Sequence, residues 1–382
     1  MRYLIVLLCL LARPALAEVA VMIGYLKVEV PPPATLTDLD PVIPDAGLAG
    51  ARVGLAENAT TAKFLGQTYA LDEVVVPVGG DALAAAEALR ARTPLLLVDA
   101  PAEVLLAVAD AVEGALVFNV SAEDVGLRDT DCRANLLHTI PSLAMRTDAL
   151  AQFLVLRRWT ELPMISGTFP QDVAYADSLK RSLGKFGLRP AEEKVWAVDA
   201  DMRRAASAEM PLFTQDFGDY DALIVADEAH DFGRFLMFNT WEARPVVGSE
   251  GLTAVAWASV IENWGAAQLQ NRFVEAAGRG MGSVDYAAWA AVRSIGEAVT
   301  RTGAADVETL RGYMLSDAFG LAGFKGAPLS FRDWNGQLRQ PIALVHPRAL
   351  VATAPLEGFL HQTNEMDSLG LDRPESQCEA FR

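Results

Sequence analysis

Short continuous apolar runs alternate along this chain with stretches in which apolar residues recur every three or four positions. DEVVVPV (72–78), PLLLVDA (94–100) and GALVFNV (114–120) are the first such runs after the β-rich EVAVMIGY (18–25), and helical patterns over 81–91 and 101–112 separate them. The rhythm then repeats. A helical pattern at 145–159 leads to ELPMISG (161–167), a second at 170–186 to EEKVWAV (192–198), and YDALIVADE (220–228) is followed by a helix expected near 230–239 and by PVVGSEG (245–251). Strands buried on both faces need no polar alternation, and helices of ten to fifteen residues between them are the pattern of parallel sheets built from βαβ units. Two successive series predict an α/β protein of two doubly wound parallel-sheet lobes. The last third reads as helices over 264–277, 285–301 and 307–316, then a two-stranded feature in SFRDWNGQLRQPIALV around the Asn335-Gly336 turn.

Two segments break the pattern. PPPATLTDLDPVIP (31–44) holds five prolines and reads as an extended surface excursion. The first residues, with Arg2, an apolar run over 4–12 and an Ala-x-Ala site ending at Ala17, read as a secretory signal peptide cleaved before Glu18. The run is shorter than the roughly 20 residues that span a bilayer. Losing Arg2 and Arg13 moves the formal net charge from −17 to −19, because the first seventeen residues contain no acid. So acidic a chain argues against nucleic acid, whose phosphates call for a basic surface, and against anionic membranes. Cys132 and Cys378 remain after export to a disulfide-permissive compartment; whether they pair is open at this stage.

No catalytic constellation emerges. His138, His230, His346 and His361 are scattered without metal-ligand spacing, and no nucleophile elbow, Walker loop or H-E-x-x-H occurs. The glycines at 278, 280 and 282 follow no strand and read as a loop, and Ser182 and Lys185 match S-x-x-K inside a helix without a companion motif. An exported two-lobe α/β chain of this kind is expected to bind rather than to catalyse, with its ligand outside the carboxyl ends of the strands. The residues there are Asp99 and Ala100; Asn119, Val120 and Ser121; Thr168, Phe169 and Gln171; Asp227 and Glu228; Glu250 and Gly251. Any of them can also serve as a helix cap.

The element order resembles the type 1 periplasmic solute-binding proteins of ABC importers, the leucine/isoleucine/valine-receptor group. GLAGARVGLAENATTAKF (47–64) resembles the first helix of that family, VVGSEGL (246–252) its strand and carboxylate loop, and DYAAWAAVRSIGEAVTRTG (285–303) with GFKGAPLSFRDWNGQLRQPIALV (323–345) its closing helix and hairpin. The resemblance implies a monomer with an ABC permease as partner, no catalytic cofactor, and Glu250 placed for a ligand's ammonium group. It divides the chain into a signal peptide (1–17), a first lobe of 18–143 plus 266–325, a second of 144–265 plus 326–358, and a polar tail, 359–382. A narrower resemblance, in residues 262–298, in LLHTIPSLAM (136–145) and in GYLKVEV with its proline excursion, is to a subgroup encoded beside alcohol dehydrogenases that use pyrroloquinoline quinone (PQQ). It implies PQQ as ligand and such a dehydrogenase as a further partner.

A tricyclic tricarboxylate needs aromatic faces and cations. On a helix over 264–277, Trp264, Gln268 and Arg272 share one line, with Leu269, Phe273 and Ala276 turned toward a core. Trp264 beside Gly265 is expected to stack, Arg272 and Arg146 to meet carboxylates, and Asn119 and Ser121 to donate hydrogen bonds. Thr168, Phe169, Glu250 and Trp289 complete the candidate set. Trp257 is expected in the core; Trp289 can serve core or ligand, and Arg272 can instead pair with Glu262 or Glu275.

Overall fold

The structure is a computed structural model that describes residues 19–33, 35, 42–197 and 206–381. The expected signal peptide with its cleavage point and part of the proline excursion lie outside the described residues. Strands β1 (Val19–Val28), β2 (Gln67–Val76), β3 (Leu95–Asp99), β4 (Leu116–Asn119) and β5 (Leu136–His138) form one parallel sheet in the order β2-β1-β3-β4-β5. Leu95, Leu96, Leu97 and Val98 are all at most 1% exposed, which is why β3 shows no polar alternation. Helices α1 (Leu48–Leu65), α2 (Ala82–Arg90) and α3 (Ala102–Ala111) connect these strands. The Asp81 carboxylate starts α2 by accepting from the Ala84 amide at 2.9 Å.

The second lobe comprises α4 (Leu143–Arg157), β6 (Met164–Ser166), α5 (Pro170–Lys185), β7 (Glu193–Val195), α6 (Ala206–Thr214), β8 (Leu223–Ala226), β9 (Val246–Gly248) and β10 (Leu252–Val255). The chain then returns to the first lobe with α7 (Ala266–Ala277), α8 (Ser283–Thr302), α9 (Val307–Met314) and a small antiparallel sheet of β11 (Leu321–Ala322), β12 (Pro328–Phe331) and β13 (Leu338–Arg339). Finally β14 (Ile342–His346) and β15 (Ala349–Ala354) add antiparallel to the second sheet, whose order is β15-β14-β10-β9-β8-β6-β7. Residues 326–358 therefore divide: Leu329, Phe331 and Leu338 sit in the core of the first lobe, whereas Ile342, Leu344 and Ala354 sit in that of the second.

In the first lobe α1 and α8 meet backbone to backbone. A Cβ at Gly50 would lie 1.9 Å from the Asp285 carbonyl oxygen, so no other residue fits there. Ala288, Val292, Ile295 and Val299 are fully buried, as the periodicity of α8 predicts. Trp257 is in this core, 2% exposed and stacked on Tyr286 at 4.7 Å.

Cys132 and Cys378 form a disulfide, closing a separation of 246 residues. The connections between lobes are held by buried polar groups. Arg128, 2% exposed, donates to the Ile140 carbonyl (3.0 Å) and to Gln337 Oε1 (2.8 Å), which ties the first connection to the third. Lys325 is also buried, donating to Gln340 Oε1 (2.5 Å) and the Pro341 carbonyl (3.1 Å) over the Tyr286 ring; burial pushes its pKa well down.

Two expected helices differ. Residues 230–239 hold only a single 3-10 turn, Gly233–Phe235, with His230 and Phe238 at positive φ. The Asp227 carboxylate accepts from the amides of Asp231 (2.9 Å), Phe232 (2.9 Å) and Gly233 (2.5 Å), fixing a tight loop in place of a first helical turn. The helix expected from 264 begins at Ala266, because Trp264 (φ 55°) and Gly265 (φ 82°) are both left-handed. Ala276 is exposed rather than core-facing.

Candidate functional site

The carboxyl ends of β1, β3 and β4 in one lobe and of β6, β8 and β9 in the other mark the places where an open α/β sheet exposes unpaired backbone. On the first lobe, Lys27 Nζ is 2.8 Å from Asp99, which also accepts from Tyr25 Oη at 3.4 Å. Asn119 is fully buried and spends its amide locally. Its Oδ1 accepts from the Ser121 and Ala122 amides (3.2 and 2.9 Å), and its Nδ2 donates to the Ala122 carbonyl at 2.7 Å. It therefore ends β4 and has no donor to offer a ligand. Ser121 is half-buried and accepts from the Ala100 amide at 3.1 Å, joining the ends of β3 and β4.

The centre of the site is Arg146, on the first turn of α4. It forms an ion pair with Glu123, which follows β4 in the first lobe, and a second with Glu228, which follows β8 in the second, at 2.9 Å. Its Nε donates to the Ala254 carbonyl at 2.9 Å, and its guanidinium lies 5.4 Å from the centre of the Tyr175 ring on α5. Burial works against the charge on Arg146, but Glu123 and Glu228 outweigh it and hold the guanidinium protonated well above its usual range. Burial pushes the Glu123 carboxyl up in spite of Arg146. Tyr175 Oη is buried and has no partner among the described residues.

The second lobe carries further carboxylates around Asp227 and His230. Asp172 accepts from the Phe169 and Ala229 amides (3.1 and 2.9 Å), yet burial and the nearby Asp227 push its pKa up to about 6. Glu250 faces His230, whose Nδ1 is 3.5 Å away, and that hydrogen bond raises the imidazole pKa. Thr168 is exposed and Phe169 half-buried at the end of β6. Among the described residues, Asp99 pairs with Lys27, Glu123 and Glu228 with Arg146, and Glu250 with His230, while Arg128 also acts on Glu123.

The remaining sequence candidates lie elsewhere. Arg272 pairs with Glu57 of α1 at 2.8 Å, not with Glu262 or Glu275, and Trp289, fully buried, donates its indole N–H to the same Glu57 at 3.0 Å. Arg293 stands 3.6 Å from the other side of that carboxylate. Trp264 is half-exposed against Gly326, where a Cβ would come within 2.8 Å of the indole, and Gln268 is exposed. Glu57, Arg272, Trp289 and Arg293 form an α1–α7–α8 wall of the first lobe, with Trp264 just before α7, and among the described residues no hydrogen bond or ion pair joins them to Arg146. The sequence missed Glu123 and Tyr175. Glu123 lies two residues past the post-strand positions that the β4 run marks, and Tyr175 lies on a helix.

A cavity of about 410 Å³ opens between α3 and Val125–Arg128 of the first lobe and α5 of the second, with Asp124, Asp131, Asp177 and Arg181 in its walls. It carries neither Arg146 nor Glu250, so the chemistry at the strand ends, rather than this volume, locates the site. Among the described residues no cluster of His, Cys, Asp or Glu is arranged to hold a metal ion, and no helix is long and apolar enough to cross a membrane.

No family model and no curated protein matches the chain. Solved structures do. A branched-chain amino acid ABC transporter periplasmic ligand-binding protein from Burkholderia xenovorans LB400 is 15% identical with a TM-score of 0.74, over 95% of this chain and all of that one. The chain has the fold of a type 1 periplasmic binding protein. A leucine-, isoleucine-, valine-, threonine- and alanine-binding protein from Brucella ovis, in a closed conformation, is 13% identical with a TM-score of 0.67, over 86% of this chain and 89% of its own. An R. palustris ABC transporter solute-binding protein in complex with benzoate is 13% identical with a TM-score of 0.63, over 94% of this chain and 99% of its own.

Proposed function

We propose that the chain is the solute-capturing component of an ABC importer, exported to the periplasm, which closes two lobes over a small molecule and passes it to a permease. The observation that carries this reading is Arg146 of the second lobe, shared between Glu123 of the first and Glu228 of the second where the strand ends of both lobes meet. These groups bind and orient; none is paired with an activated nucleophile, and the reading is of a binder, not a catalyst. The excess of carboxylate favours a solute with an amine, an amino acid being the simplest. Its ammonium would meet Glu250 or take one of Arg146's two carboxylates, and its own carboxylate would then meet the released Arg146.

The second reading is PQQ, with a PQQ-dependent alcohol dehydrogenase as a further partner. The guanidinium of Arg146 over the Tyr175 ring is the cation-and-aromatic pair that a planar carboxylate calls for. Binding a trianion there means displacing both Glu123 and Glu228, so this reading stands second. The test is thermal unfolding and calorimetry with leucine, valine and PQQ. A ligand at a hundred times its Kd stabilises the folded state by about 2.7 kcal/mol. A rise with leucine or valine that is lost in Glu250→Gln supports the amine reading. A rise with PQQ alone transfers the assignment to the quinone, and no response to any solute screened in native periplasmic extract overturns capture itself.

A further inference from the structure

The C-terminal tail crosses between the lobes more than once. Phe359 packs edge-on against Phe186 at the end of α5, with 5.5 Å between ring centres. Asp367 then accepts from Arg332 (2.9 Å), just after β12, and Arg339 (2.8 Å), the last residue of β13, in the hairpin whose Leu329, Phe331 and Leu338 sit in the core of the first lobe. Arg332 also donates to the carbonyls of Met366, Leu369 and Leu371, and its side chain and that of Asp367 are 1% and 4% exposed. Leu369, fully buried, belongs to the core of the second lobe with Met145 and Ala149. The Gly370 amide donates to Asp148 of α4 at 2.8 Å, and Lys185 of α5 donates to the Gly370 carbonyl at 2.9 Å and to Asp148 at 3.0 Å. Ser182 donates to the same Asp148, so the two polar residues of the S-x-x-K pattern serve as an anchor for the tail.

From there the chain goes back to the first lobe. Ser376 Oγ donates to the Arg128 carbonyl at 3.1 Å, the Gln377 amide bonds Asp129, and Cys378 is joined to Cys132. The Arg311 guanidinium covers the Phe381 ring at 5.2 Å. Arg128 is the residue that ties the first interlobe connection to the third. The tail is therefore pinned to both lobes beside the hinge, and one pin is covalent.

We propose that residues 359–381 are a strap that limits how far the two lobes travel, with the Cys132–Cys378 disulfide as its fixed end. The proposal rests on the reading of the chain as a protein whose lobes move, since hinge closure is how two lobes enclose a solute. Between the Gly370 and Cys378 anchors the slack is one turn, in which the amides of Glu375 and Ser376 both bond the Asp372 carbonyl at 3.0 Å. Fully extended, this segment reaches about 28 Å at most, at ~3.5 Å per residue. Opening beyond that reach requires one of the anchors to let go. The buried Arg332–Asp367 pair and the cystine make the first-lobe anchors costly to release, whereas Lys185, bonded at a part-exposed site, is the weaker one.

The experiment measures interlobe distances in the full chain, with nitroxide labels on Glu87→Cys of α2 and Val173→Cys of α5. It compares the native disulfide with Cys132→Ser/Cys378→Ser and, separately, with Asp367→Asn. Releasing the strap is expected to broaden the distance distribution by several ångströms toward longer values, and to weaken leucine binding several-fold. Superimposable distributions in folded variants, judged by circular dichroism and a cooperative unfolding transition, would overturn the strap. Should the cysteine variant fail to fold, Lys185→Gln with the disulfide intact is held to the same standard. The distance measurement needs no ligand. A chain that binds nothing but still opens on release of the tail fails as a receptor while keeping the strap.

Discussion

Two clusters in this molecule are near mirror images in charge. On the α1–α7–α8 wall, one carboxylate, Glu57, collects Arg272, Arg293 and the indole of Trp289, all within the first lobe. In the cleft, one guanidinium, Arg146, is held by two carboxylates, one from each lobe. The first joins helices that already share a core and has nowhere to move. The second joins groups that follow strands of two separate sheets, so it is the pair that the proposed closure of the lobes would remake. Indoles and arginines near one helix mark a well-braced wall here, while the proposed solute site centres on a cation held by two carboxylates.

The strongest way to break this comparison is Arg146→Ala. The three side chains are 11%, 22% and 21% exposed, so removing the cation leaves two desolvated carboxylates facing each other. Stability at neutral pH should fall by about 3 kcal/mol in urea unfolding, and the deficit should shrink as acid neutralises Glu123, whose carboxyl burial already pushes up. Solute binding should be lost in the same variant. Glu57→Gln comes next, at about 1–2 kcal/mol, because Arg272, Arg293 and Trp289 lose a shared acceptor that is only 18% exposed. Its solute affinity should be unchanged. An equal loss of affinity in both variants would mean that the wall belongs to the binding site after all. Arg272→Ala, with a side chain 41% exposed, should cost under about 1 kcal/mol and leave affinity intact.

The fold was legible because burial on both faces writes continuous apolar runs. PLLLVDA and GALVFNV contain β3 and β4, and the stripe of α8 is a core stripe. The candidate site was legible only in part. Position after a strand marked Ser121, Thr168, Phe169, Glu228 and Glu250, which the structure has at or just past strand ends, and Arg146 was marked as a cation on the helix after the first interlobe connection, where α4 carries it. Periodicity assigned Arg272 to a helix face correctly but could not say what that face meets, because Glu57 lies 215 residues away. The same limit applies to the disulfide, closed across 246 residues. Residues 230–239 misled for a local reason: the apolar spacing is helical, but the Asp227 side chain takes the amides that would start the helix.

The smallest effect, and the finest test of cleft against wall, is the pH response of His230. Its folded-state pKa is raised by the hydrogen bond to Glu250 and by the charges of Glu250, Glu228 and Asp227. Raised above the unfolded value of about 6.5, the imidazole contributes stability that is fully present below that value and lost as pH rises through the folded pKa. Asp172, raised to about 6, has the same sign at lower pH, its contribution fading from about pH 4 upward. No histidine pairs with the Glu57 cluster. Stability of the native chain should therefore decline gently across and just above pH 6.5. His230→Gln should flatten that decline, and Glu57→Gln should leave its slope unchanged. Denaturant midpoints measured in half-unit pH steps give the answer directly. A slope that survives His230→Gln would show that the imidazole is not the group behind it and that its pairing with Glu250 contributes no pH-dependent stability.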